Sequence, residues 1–384
     1  MTGRDDAAMP PLTGIKVLDF STLLPGPLAS LVLAEAGAEV IKVERPGGEE
    51  VRRYAGPFGE ASASFALLNR GKASLCLDLK SPDDRRRLDP YLARADILIE
   101  QFRPGVMERF GLGFERLRAV NPGLIHCSIT GYGQHGPQRD KAGHDLNFMA
   151  ETGALALGCG VDGAPTIPPV LAADIAGGAY PALVNILLAL LQRNATGQGC
   201  RLDIAMADNL FTLSFWGLAA GFATGAWPRP GNELLTGGSP RYQVYRTADD
   251  RFIAAAPLED HFWRRFCDAI GLSAEEQDDR SDPRGVIDKV AARIRGATAE
   301  EWRARFADID ACVSVVASLR DAVSHPQFVA RGLFTRRVAD SAGRAIPALP
   351  VPVVPAFRTG DETLGYPRIG DAGKRALWSG EGGS

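Results

Sequence analysis

Short apolar runs alternate with helical segments from residue 14 to residue 130, and this alternation limits the possible fold more than any other feature of the chain. The runs fall at residues 15–20, 39–44, 74–79, 96–100 and 124–130, with helical stretches at 28–36, 82–93 and 105–112 between them. Strands that are apolar throughout are buried on both faces, and strand–helix alternation places them side by side in a parallel sheet. The predicted class is therefore α/β, with a doubly wound, mostly parallel sheet. At 384 residues the chain is long enough for a second domain. A Trp-Pro-Arg-Pro-Gly-Asn stretch from Trp227 marks the boundary. Residues 1–226 with 326–384 form the large domain. Residues 227–325 read as a smaller α+β domain, with a hairpin over 242–256 and helices near 261–270, 285–295 and 298–306. The last opens on a capping box, Thr298 to Glu301.

Composition narrows the partners. Net charge is −3 with charged residues at 23%, and no basic run exceeds Arg85–Arg87, so nothing points to nucleic acid. The acidic start lacks an apolar core, and the most apolar stretch, 176–191, carries Pro181 and Asn185 and is too short to cross a bilayer. The six cysteines are scattered without a CxxC pair, which fits reduced thiols in a cytoplasmic protein.

Several familiar chemistries are absent. The first strand–helix turn, Leu23-Leu-Pro-Gly-Pro, lacks the glycine pattern of a dinucleotide site, although Glu44 ends the second strand where a ribose-binding carboxylate would stand. Gly131–Gly136 matches that pattern formally, but Pro137 follows and no apolar helix start does. His126, His135 and His144 are nine apart on no common helical face, so no metal site is expected. No G-x-S-x-G elbow occurs, and no cysteine has an evident base.

What remains is a pair of helix starts. His144, in Gly143-His-Asp, and Asp174, in Asp174-Ile-Ala-Gly-Gly, are joined by a loop rich in Gly and Pro. Alone, Asp174 reads first as an N-cap and His144 equally well as a loop hydrogen-bonder. Together they are two proton carriers flanking a segment that could cover a ligand. Glu259 alone is a capping acid before a helix. Arg45, Lys80, Arg103 and Arg109 each follow or flank a strand's carboxyl end, where such sheets bind ligands, and four cations there suit a polyanion.

In combination these segments resemble the family III CoA transferases (CaiB/BaiF), and within them the α-methylacyl-CoA racemase branch. The motifs are L-x-G-I-K-V-L-D-F at 12–20, P-G-P at 25–27, L-A-E-A-G-A-E-V-I-K-V-E-R-P at 33–46 and L-N-R-G-K-x-S-L-x-L-D-L-K at 68–80. Further along come F-R-P-G-V-x-E-R-F-G-L at 102–112, G-Y-G-Q-x-G-P at 131–137, G-H-D-L-N-F at 143–148, D-I-A-G-G at 174–178 and G-G-x-P-x-Y at 237–242. One departure is Asp310-Ala-Cys-Val-Ser-Val, which lacks the proline usual there.

The resemblance implies a Rossmann-like large domain, an interlocked homodimer and an acyl-CoA thioester substrate, with no metal or redox cofactor. It implies that His144 and Asp174 are opposed bases and that Glu259 supports His144 from the small domain of the other subunit. It places Arg45, Lys80 and Arg109, with Arg103, on the CoA moiety, and Asp145 and Tyr242 on the substrate. In the transferase branch the aspartate matching Asp174 is instead a nucleophile that forms an acyl anhydride. The helix start at Asp174 is expected to offer backbone N–H groups to an enolate oxygen. A CoA-thioester-binding protein without catalysis is a third reading, disfavoured by the retained His, Asp and Glu.

Overall fold

The computed structural model describes residues 9–160, 162–360, 362–374 and 378; the acidic start read above lies outside them. The large sheet has six strands: β1 (Lys16–Asp19), β2 (Glu39–Glu44), β3 (Ala73–Cys76), β4 (Ile97–Glu100), β5 (Ile125–Thr130) and β6 (Arg201–Ala205). All neighbours pair in parallel, in the order β3-β2-β1-β4-β5-β6. Leu18 of β1 is in register with Ile41 on one side and Leu98 on the other, and all three are fully buried. The chain winds outward from β1 in one direction, then returns to β4 and winds the other way. The loops after β1 and β4 therefore diverge, and a crevice opens at their carboxyl ends.

Helix α1 (Pro25–Glu35) follows β1 directly and is buried along almost its whole length. It starts at Pro25, where the missing N–H costs nothing, and Gln101 accepts the Gly26 N–H at 2.9 Å. Helix α2 (Asp145–Glu151) carries His144 as its N-cap. Helix α3 runs unbroken over Ala173–Thr196, and its first part, Ala173–Ala179, is π-helical. At 24 residues it is the one helix among the described residues long and apolar enough to cross a membrane, which revises the shorter apolar stretch read from the sequence. Its inner face, including Ala182, Leu183, Ile186 and Leu190, is buried, and it packs on α1, β5 and β6.

Two local segments carry no clear sequence signature. Residues 50–69 hold a turn of 3-10 helix, a two-residue hairpin and a helix, Ala63–Asn69, capped by the Ser62 hydroxyl; the pieces are too short for a periodic signal. Residues 206–224 form two helices, α4 (Met206–Leu210) and Phe215–Thr224, with a 3-10 turn between them. Uniformly apolar sequence carries no mark of that break. The tail returns to the large unit: Tyr366 donates to the Phe58 carbonyl and Asp371 accepts the Ser74 N–H at 2.7 Å.

Contacts divide the chain into Met1–Thr152, Val170–Thr212 and Val329–Ser384 as one unit, and Gly153–Pro169 with Leu213–Phe328 as the other. The smaller unit thus takes the 153–169 loop and begins at 213 rather than 227. It is α+β. Strands β7 (Gln243–Arg246), β8 (Phe252–Ala255) and β9 (Val313–Val315) form an antiparallel sheet in the order β9-β8-β7. Trp263 and Phe266 of helix α5 (Asp260–Ile270) join Tyr245, Ile253 and Trp302 in its core. Thr298 caps the last of its long helices reciprocally with Glu301, as predicted.

Candidate active site

The crevice at the sheet's switch point becomes a cavity of about 430 Å³, lined by both His144 and Asp174. Its floor is the carboxyl end of the sheet: Thr22 and Leu23 after β1, Gln101 and Phe102 after β4, and Thr130 of β5. The two candidate bases, thirty residues apart in the chain, meet because α2 and the start of α3 stand on the same sheet edge.

The His144 loop is set by close packing. The Phe148 ring lies 2.4 Å from where a Cβ on Gly131 would be and 2.7 Å from one on Gly143. Only glycine lets this ring seat between the two turns, and the ring anchors α2. His144 donates its backbone N–H to Asn147 Oδ1 at 3.0 Å, and its side chain is exposed to the cavity.

Asp174 is placed by α3. Gly177 abuts α4, where a Cβ would stand 2.4 Å from the Met206 carbonyl oxygen, and Asn209 donates to the Gly177 carbonyl at 2.8 Å. The Gly-Gly of this motif is thus a packing requirement. Asp145 is buried and accepts the Asp174 N–H at 3.0 Å. Ile175 donates to Leu171 O at 3.1 Å. The first N–H groups of this helix are engaged, so the expected enolate donors at Asp174 and Ile175 are not free. Burial pushes the Asp174 carboxyl up to about 6, the Asp145 carboxylate adds to the rise, and His144 opposes it.

A second cavity, about 370 Å³, opens beside the first at the ends of β1, β2 and β3. Phe20, Val43, Leu77 and Phe110 give it apolar walls, and Arg45 and Lys80 stand at it, both exposed. An apolar slot edged by cations suits a planar base bearing phosphates. Thr22, Leu23 and Phe102 line both cavities, so the two adjoin.

Of the remaining expected residues, Arg103 lines the His144 cavity, whereas Arg109 lines neither. Glu259, the N-cap of α5, and Tyr242 are exposed residues of the smaller unit. His126 is buried beside Phe114, and burial, with Arg201 near, pulls it down to about 4. Sequence reasoning passed over Thr22 and read Leu23 only as the start of a turn, although their place directly after the first strand was a usable signal.

A model of CoA-transferase family III matches residues 12–371. The chain belongs to CoA-transferase family III. It is 37% identical over 354 residues to an alpha-methylacyl-CoA racemase of Homo sapiens, covering 90% of this chain and 89% of that one. It is 33% identical over 362 residues to a succinate–glutarate CoA-transferase of Agrobacterium fabrum, covering 90% and 89%. A crystal structure of a CAIB/BAIF family protein from Brucella suis superposes with a TM-score of 0.79 at 28% identity, over 96% of this chain and 99% of that one. Racemases and CoA transferases thus stand together among the relatives of this family member, and both chemistries act on CoA thioesters.

Proposed function

We propose that this family III protein is a racemase interconverting the two epimers of a 2-methylacyl-CoA by proton transfer at the α-carbon. The observation that carries the reading is the pairing of His144 and Asp174 in one cavity, with the Asp174 carboxyl raised to about 6. A thioester α-proton is acidic because its electrons can pass into the carbonyl as an enolate. One base removes that proton from one face, and the conjugate acid of the other returns a proton to the opposite face. A carboxylate raised toward neutrality is a stronger base and, once protonated, a competent acid. In the reverse direction the roles exchange. The identity to the human racemase supports this branch.

In this reading Arg45, Lys80 and Arg103, with Arg109, hold the CoA moiety. Tyr242 faces the acyl chain, and Glu259 of the partner subunit orients His144 and stabilises its imidazolium, as a carboxylate does in a catalytic triad. The protein acts as a homodimer. Tyr180, Val184, Leu187, Leu188 and Leu191 form an exposed apolar stripe on α3, which supports coverage by a second copy. All six cysteines are free, in keeping with a cytoplasmic setting.

The similarity to a succinate–glutarate CoA-transferase favours a second reading, in which Asp174 attacks the thioester carbonyl, the carbon–sulfur bond breaks, the CoA thiolate leaves and an acyl anhydride remains on Asp174. One experiment separates them. The protein is incubated in D2O with a single epimer of a 2-methylacyl-CoA and no acceptor acid, with deuterium uptake and epimer ratio followed. Exchange with epimerisation supports the racemase. No exchange, with CoA transfer once an acceptor acid is added and a hydroxylamine-trapped Asp174 acyl group, overturns it.

A further inference from the structure

Leu23 stands where the two cavities meet, and its backbone is strained. Its φ is 63°, a left-handed conformation that a branched, Cβ-bearing residue adopts only when its surroundings impose it. The constraint is visible. Glu49 accepts the Leu23 N–H on Oε2 at 3.1 Å, and its Oε1 lies 3.2 Å from Lys42 Nζ. Lys42 in turn donates to the Ser21 carbonyl at 2.8 Å. Glu49 and Lys42 are both buried, at 3% and 0% exposure. Glu49 also donates its own N–H to Glu44 Oε1 at 3.1 Å, and Glu44 is fixed by Arg52. A buried ion pair thus grips the Ser21–Leu23 turn at two points, one on each side of Thr22.

We propose that Glu49 is a positioning residue that holds Leu23 in its strained conformation and thereby fixes the passage through which a CoA thioester reaches from the Arg45–Lys80 cavity to His144 and Asp174. The inference rests on the acyl-CoA reading above for its catalytic consequence, but not for the clamp itself. Thr22, Leu23 and Phe102 are the residues common to both cavities. A turn that relaxes there shifts the thioester carbonyl relative to the bases, while the cations at Arg45 and Lys80 stay in place. The loss should therefore fall on kcat more than on KM.

The test is a cycle of Glu49→Ala, Leu23→Gly and the double variant, read by thermal melting and by kcat and KM for a 2-methylacyl-CoA. Glycine adopts the left-handed backbone without strain, so a clamp on residue 23 loses its purpose in that background. Glu49→Ala should lower kcat about 10- to 100-fold in the Leu23 background and by less than about twofold beside Leu23→Gly. Glu49→Gln, which keeps an oxygen for the Leu23 N–H but breaks the ion pair, should retain most of kcat; Glu49→Leu, which removes the acceptor and fills the space, replaces Glu49→Ala in the cycle if the latter does not fold. Equal losses in both backgrounds, in melting temperature and kcat alike, overturn the proposal. A wild-type protein that turns over no acyl-CoA removes the functional reading instead, and the melting cycle alone then decides the clamp.

Discussion

Two aspartates at the carboxyl edge of one sheet, one fully buried and one half-buried, meet opposite fates. Asp19, the last residue of β1, is fully buried beside Lys42 and Lys72, and it accepts the Ser21 N–H at 2.9 Å and the Ser30 hydroxyl at 2.5 Å. Burial pushes its carboxyl up, but the two lysines and the two serines outweigh it, and it falls from 3.8 to about 2. Asp174 has another carboxylate, Asp145, as its neighbour and only His144 in opposition, and it rises from 3.8 to about 6. Burial acts in the same direction on both. The difference is the sign of the surrounding charge, which makes one aspartate a fixed strut and leaves the other able to exchange a proton near neutral pH.

The contrast breaks most directly at Asp174, the carboxylate proposed to react. Asp174→Ala should reduce deuterium exchange and epimerisation by about 1,000-fold or more, and His144→Ala comparably, since proton transfer by a positioned group contributes about 10²- to 10⁴-fold per residue. Full racemisation by either variant would remove the two-base scheme. Asp19→Ala should instead act on folding. Leaving the buried Lys72 without its carboxylate costs about 3–5 kcal/mol, seen as a lower denaturant midpoint, whereas Asp174→Asn should be neutral or stabilising above pH 6.

The pH dependence of stability should separate the same pair. Asp19 has a folded value below its unfolded one, so its contribution, about 2 kcal/mol, is present above pH 4 and lost as pH falls toward 2. Asp174 has a folded value above its unfolded one, so its ionisation costs stability as pH rises from about 4 to 6, and Asp174→Asn should flatten that interval. Denaturant titrations at closely spaced pH values would show both slopes, or their absence.

Asp145→Asn keeps an oxygen to accept the Asp174 N–H and removes the like charge. The acidic limb of kcat/KM, expected near pH 6, should move down by about one unit, and an unmoved limb would deny Asp145 its electrostatic part. The smallest effects belong to Arg45→Ala and Lys80→Ala. Both side chains are exposed, so each should raise KM with an effect of about 1 kcal/mol or less that shrinks as salt is added.

Much of the fold was legible because strand burial writes itself into composition: Glu39–Glu44 was delimited to the residue, and the other strands of the parallel sheet to within a few. Residues 50–69 were not, since a two-residue hairpin leaves no period to detect. His144 and Asp174 stood out by residue type and by their place at helix starts. The role of Gly177 did not, because a glycine chosen for a neighbour's carbonyl looks like one chosen for flexibility. Nothing in the local sequence marks Lys42 and Lys72 as buried, and only tertiary contact shows them paired with carboxylates.

The amino-acid order by itself determined the alternation of strands and helices, the two-unit division in outline, the family and the pair of candidate bases, because each depends on neighbours along the chain. Tertiary structure alone decided the strand order that opens the crevice, the divergence of Asp19 from Asp174, the engagement of the Asp174 and Ile175 N–H groups and the strain held at Leu23. Those depend on charges and atoms distant in sequence, whose distances no local pattern encodes.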